Sequence, residues 1–189
     1  MRTFSGEQLL EQLRIIDVAL EQSEDVILIG GAAIAVAYGA QYATNDIDLW
    51  ASAAAVRVVR LGDSLRGSGQ SLVPIQAVGL ADAPYEFESR LKPFRGAGLD
   101  RLQVWVPDAH DLVFMKLCRG VDRDYTGIER LHAAVGLSVD TLLRIYQAET
   151  SHMLGPPGQL EARLEDALEI LFGRRAVARF ESLRRSSGA

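Results

Sequence analysis

Leu9, Leu13, Ile16 and Leu20 recur at steps of four, three and four. That is one apolar stripe of a helix, and Ser5 and Gln8 open it with capping-box spacing. Val26-Ile27-Leu28-Ile29 is a short apolar run and predicts a buried strand, ended by Gly30-Gly31. Ala32 to Tyr38 predicts a short helix stopped by Gly39. Asp46-Ile47-Asp48-Leu49-Trp50 alternates polar and apolar and predicts a second strand. Ser52 caps a helix running to about Leu61, and the glycine-rich stretch Gly62 to Gly69 reads as a loop. Leu72 to Val78 predicts a third strand, with Pro74 placing it at an edge or a bulge. Tyr85-Glu86-Phe87-Glu88 alternates again, and Leu102 to Val106 predicts a clearer strand.

After Pro107 the period changes. Helices are expected over Ala109 to Cys118 and Asp124 to Val135, and a third is capped by Ser138 with Leu142, Ile145 and Tyr146 on one face. Gly155-Pro156-Pro157-Gly158 breaks the chain, and Leu160, Leu164, Leu168 and Leu171 form another stripe. The arginine-rich tail Arg174 to Ala189 ends in small polar residues expected to fray. The expected fold class is α/β (α+β): a small mixed sheet flanked by helices, with a helical C-terminal half. Residues 1–106 would form the core and residues 107–189 a helical half packed on it, one compact domain overall.

Composition narrows this picture. With 189 residues and 48% hydrophobic content, the chain can bury a core without staples. The single cysteine, Cys118, excludes a disulfide framework and a cysteine-based zinc site, and fits a reducing, cytoplasmic setting. No apolar run approaches membrane-spanning length, and the N-terminus lacks the pattern of a secretory signal, so no membrane partner is expected. The net charge of −5 excludes a bulk polycation for nucleic acid. Lys92 and Lys116 are the two lysines of the chain. His110, His132 and His152 lie far apart without metal-ligand spacing.

The chemistry concentrates between Val26 and Trp50. Residues two apart on a strand point the same way, so Asp46 and Asp48 leave one face while Ile47 and Leu49 enter the core. Paired carboxylates repel and call for a cation, a shared proton or a basic partner. Oxygen ligands without histidine or cysteine favour Mg²⁺ over zinc. Gly30 and Gly31 let the backbone approach a ligand closely, and N–H groups at a helix start suit an anion. A phosphate cradle and carboxylate-held Mg²⁺ on neighbouring strands would form a site for a nucleoside triphosphate. A Gly-Gly turn or an Asp-x-Asp alone is common; their order and strand–helix–strand spacing carry the reading. No Gly-Lys-Ser/Thr loop occurs.

The segment Ile27-Leu28-Ile29-Gly30-Gly31-Ala32-Ala33-Ile34-Ala35, then Tyr38-Gly39, then Thr44-Asn45-Asp46-Ile47-Asp48-Leu49, resembles the DNA-polymerase-β-type nucleotidyltransferase superfamily. Within it, the chain resembles the bacterial branch of abortive-infection, type IV toxin-like nucleotidyltransferases. Tyr85 to Arg90 is similar to a block of small members. Val106-Pro107-Asp108-Ala109-His110-Asp111-Leu112, with Lys116-Leu117, Arg119 and Arg123-Asp124, resembles the block where that branch places a lysine and a downstream aspartate. The superfamily often has serine where this chain has Gly31.

The resemblance implies transfer of a nucleoside monophosphate from an NTP to an acceptor. Asp46 and Asp48 would hold Mg²⁺; Gly30, Gly31, Thr44 and Lys116 would bind the nucleotide; Asp46, Asp48, Lys116 and Asp124 would be the catalytic set. RNA, including a tRNA end, would be the acceptor, with a cognate antitoxin protein as partner. Two-metal transfer calls for a further carboxylate. Glu86 and Glu88 are candidates as metal ligands; Asp122 and Asp124 are the others. Lys116 sits between Met115 and Leu117, where a snorkelling lysine is the ordinary expectation. The alternatives are a transferase acting on a protein or small-molecule hydroxyl, and a non-catalytic partner that keeps the scaffold.

Overall fold

The computed structural model describes residues 2–79, 82–95, 98–153 and 155–187. The chain forms two compact units, one of Met1–Ala81 with Phe87–Asp108, the other of Asp82–Glu86 with Ala109–Ala189.

The first unit holds a mixed sheet. Its strands are β1 (Glu24–Ile29), β2 (Ile47–Trp50), β3 (Ile75–Val78), β4 (Lys92–Pro93) and β5 (Leu102–Val106), in the order β3-β2-β1-β5-β4. β1 runs antiparallel to β2 and parallel to β5, and β2 runs parallel to β3. Helix α1 (Gly6–Ala19) opens on the expected capping box, with Ser5 and Gln8 exchanging side-chain bonds. Leu9, Leu13 and Ile16 of its stripe are buried, as are Leu28 of β1, Ile47 and Leu49 of β2, and Leu102 of β5. After β1 the chain makes a three-residue helical turn, α2 (Gly30–Ala32), which passes into a π-helical stretch, Ala33–Ala37. Helix α3 (Ala53–Gly67), capped by Ser52, makes the crossover that lets β3 lie parallel to β2.

The second unit is helical: α4 (Ala109–Arg119), α5 (Asp122–Val135), α6 (Val139–Glu149), α7 (Gln159–Phe172) and α8 (Arg174–Ser187). α4, α5 and α7 pack together and α8 packs on α7. Tyr146 of α6 meets Phe180 of α8 edge to face, with ring centroids 4.9 Å apart. The mixed sheet with helices in the first unit and the all-helical second unit agree with the expected fold class.

Several local expectations are corrected. Gly62–Gly67 is not a loop, because α3 continues through it. A Cβ at Gly62 would lie 2.7 Å from Ile75 Cδ1, so glycine lets α3 pack closely on β3 there. Tyr85–Glu88 is not a strand: Tyr85-Glu86 is a turn and Phe87–Arg90 is a 3₁₀ helix that buries Phe87. Phe87 stacks at a tilt on Trp50, 4.8 Å between centroids, and that contact explains its apolar identity without a sheet. The third strand begins at Ile75, after Pro74, and lies at the sheet edge where proline is tolerated. α5 starts at Asp122, two residues before the expected Asp124. Arg174–Ser187 is helical, and the final two residues of the tail lie outside the described residues.

Candidate active site

β2 places Asp46 just before its first residue and Asp48 at its second. Ile47 and Leu49 are fully buried between them, so the alternation of a strand sends both carboxylates to the other face. One amide joins the two. Gln76 Nε2 donates to Asp48 Oδ1 at 2.6 Å and to Asp46 Oδ2 at 3.2 Å. Gln76 reaches them because β3 pairs with β2 in the register Asp48↔Gln76. The Thr44 hydroxyl donates to Asp46 Oδ1 at 3.3 Å. Thr44 is itself held by the backbone of Phe4, through Phe4 N–H to Thr44 O at 2.7 Å and Thr44 N–H to Phe4 O at 3.2 Å.

The Gly-Gly bend lies against this acidic segment. Ile29 pairs with Asp48 across β1 and β2, so Gly30 follows directly beside it. A Cβ on Gly30 would lie 2.6 Å from Asp48 Oδ2, and a Cβ on Gly31 would lie 2.7 Å from Thr44 Oγ1. Gly30 also has φ +66°, a conformation that L side chains disfavour. The Thr44 contact gives a spatial reason for glycine, rather than serine, at position 31.

The donor set can be compared with the chemistry of Mg²⁺. Both convergent side chains are carboxylates, hard oxygen donors that suit a hard divalent ion, and neither imidazole nor thiol joins them. Among the described residues, no three Asp, Glu, His or Cys side chains are grouped to hold a metal ion. Glu88 lies exposed on the 3₁₀ helix of the first unit, and Glu86 belongs to the turn of the second. The alternation that put Glu86 and Glu88 on one strand face is therefore absent. Glu86 N–H donates to Glu149 Oε2 at 3.2 Å.

Residues 7–166 match the family described as nucleotidyltransferase of unknown function (DUF6036). The chain belongs to this family. No curated protein and no solved structure matches it.

In the second unit of this family member, Lys116 and Asp124 form a buried ion pair. Lys116 Nζ lies 3.2 Å from Asp124 Oδ1, and Arg119 grips the same carboxylate through Nε at 2.8 Å and Nη2 at 2.5 Å. Val121 N–H adds a bond to Asp124 Oδ2 at 3.3 Å. Lys116 is 5% exposed, so it does not snorkel to solvent as its sequence context suggested. Gly127 makes its room: a Cβ there would meet Lys116 Cε at 2.9 Å and Nζ at 3.1 Å. Burial pushes the Lys116 ammonium below its ordinary pKa against the pull of Asp124. Burial also acts to raise Asp124, but Arg119 and Lys116 outweigh it and hold that carboxyl below its usual value. Asp122 stands at the first residue of α5. Among the described residues, no helix is long and apolar enough to cross a membrane.

Sequence reasoning missed Gln76. Its signal was an exposed polar residue between Ile75 and Ala77, which has no meaning until β3 is known to lie parallel to β2 in this register.

Proposed function

We propose that the chain is a Mg²⁺-dependent nucleotidyltransferase that moves a nucleoside monophosphate from an NTP to an acceptor hydroxyl and releases pyrophosphate. The observation carrying this reading is the convergence of Asp46 and Asp48 on one amide beside the Gly30-Gly31 bend. Family membership agrees with the general activity. Bound Mg²⁺ would screen the phosphate charge and polarise the phosphorus centre. Asp46 and Asp48 would hold it. Thr44 fixes the Asp46 carboxylate, and Gly30 with Gly31 leaves the backbone bare where a triphosphate would approach. The helical turn that begins with the glycines is short, so close approach of backbone N–H groups supports phosphate binding more than a long helix dipole does. Lys116 as a charge-neutralising group, with Asp124 as its partner, remains part of the proposal.

The proposed acceptor is RNA, including a tRNA end, with growth inhibition as the outcome, an antitoxin protein as partner and the cytoplasm as location. The resemblance to the toxin-like branch supports this part. The test offers an NTP labelled at the α-phosphate to the full chain with Mg²⁺ and separate pools of RNA, protein and small molecules. Label from the α-phosphate, and none from the γ-phosphate, should enter RNA, and the Asp46→Asn, Asp48→Asn double variant should incorporate nothing. Label in the protein or small-molecule pool alone would move the acceptor to that class.

A second reading, a non-catalytic partner on the same scaffold, is favoured by the lack of a three-residue acidic group among the described residues. Thermal stabilisation by Mg²⁺-NTP without label in any pool would support it over turnover.

A further inference from the structure

Gln76 is exposed on the edge strand β3, and its amide nitrogen bridges the two aspartates. Ionised carboxylates only accept hydrogen bonds, so the donor end of the amide, and not its oxygen, must face them. Two like charges this close repel. The amide hydrogens offset part of that repulsion and hold both side chains in one orientation. A divalent ion bound by the same two carboxylates would sit about 2.0–2.1 Å from its oxygens if it is Mg²⁺. Nε2 lies 2.6 Å from one of these oxygens and 3.2 Å from the other, so it bonds to both of the oxygens that would be shared by an ion bridging the pair through them. The amide and an ion bound through the same two oxygens compete for them.

We infer that Gln76 is a positioning residue that competes with a divalent ion for the Asp46–Asp48 pair and must swing away for that ion to enter. It thereby sets how much of the ion the pair requires. The side chain can move into solvent, because it stands on an exposed position of an edge strand and no core packing depends on it. This inference rests on the proposed reading of the aspartate pair as a divalent-ion site.

The test measures Mn²⁺ binding to the full chain by electron paramagnetic resonance and Mg²⁺ binding by calorimetry, both without nucleotide. Gln76→Ala and the near-isosteric Gln76→Met remove the donor, and Gln76→Glu adds a carboxylate in its place. Unfolding midpoints confirm that each variant is folded. Removing the donor should tighten ion binding by about tenfold, the scale of one charge-assisted hydrogen bond lost from the competing state. Gln76→Glu should bind more tightly still. Equal or weaker binding by both Gln76→Ala and Gln76→Met, with the wild type binding above the Asp46→Asn, Asp48→Asn background, would overturn the role of Gln76 and leave the ion site standing. Binding by neither the wild type nor any Gln76 variant above that background would overturn the ion site and this inference together.

Discussion

Gly30 and Asp48 are locked face to face across β1 and β2: a Cβ on the glycine would lie 2.6 Å from the aspartate Oδ2. The glycine therefore serves the carboxylate as well as the turn. With the positive φ of Gly30, Gly30→Ala meets two penalties, backbone strain of about 1–2 kcal/mol and displacement of Asp48. We expect a lower unfolding midpoint and weaker divalent-ion binding in the same variant, read by thermal denaturation and calorimetry. Unchanged ion affinity would mean that Asp48 is not held by this contact.

Asp46→Asn and Asp48→Asn remove charge while keeping shape. Each should abolish nucleotide transfer and leave the unfolding midpoint unchanged or slightly raised, because the repulsion between the two carboxylates is relieved. The measurement pairs label incorporation with thermal denaturation. Loss of folding in both variants would assign the pair a structural role.

Lys116 and Asp124 should be strongly coupled. Asp124→Ala leaves a buried ammonium without its carboxylate, and breaking such a pair costs about 3–5 kcal/mol. Removing both charges, as Lys116→Met with Asp124→Leu, should recover much of that loss. Denaturant titration of the single and double variants gives the cycle. Additive losses would show that the pair is not coupled.

Asp17 ties α1 to the start of β5. Its Oδ1 accepts N–H bonds from Asp100 at 2.9 Å, Arg101 at 2.7 Å and Leu102 at 2.6 Å. Burial acts to raise its pKa, but the three N–H donors, with the Arg101 charge, outweigh burial and hold it below the ordinary value of 3.8. The unfolded chain thus binds the proton more readily in the acid range. The stability that Asp17 contributes is present above its unfolded pKa and is lost as pH falls toward the lower folded one. Asp17→Asn should flatten the acid limb of a stability–pH curve and cost about 1–3 kcal/mol at neutral pH. An unaltered acid limb would assign the pH dependence to other groups.

Cys118 should be a poor nucleophile. Burial pushes its thiol up to about 12, with Asp82 adding to the rise. A thiol reagent at pH 8 should modify the folded chain far more slowly than the denatured chain. Comparable rates would show that the thiol is accessible and ionised.

Local signals made much of this protein legible. Ser5 with Gln8, Ser52 and Ser138 cap helices where their side chains predict it, because a cap is a contact three residues long. Asp46 and Asp48 could be placed on one face from alternation alone, since Ile47 and Leu49 had to be buried. Local signals failed where a distant partner decided the outcome. Glycine content suggested a loop at Gly62–Gly69, yet α3 continues to Gly67 and Gly62 lets it pack closely on Ile75. Alternation suggested a strand at Tyr85–Glu88, yet Phe87 is buried by stacking on Trp50.

The sequence by itself determined helices α1 and α4 to α7, strands β1, β2 and β5, the acidic face of β2 and the glycine bend before it, because these follow from periodicities and contacts spanning a few residues. Only the tertiary structure decided that Gln76 stands over the two aspartates and that Asp124 neutralises Lys116 in a space left by Gly127. Strand register sets the first, and helix packing with the cost of burying an unpaired charge sets the second; neither is written in the spacing of neighbouring residues.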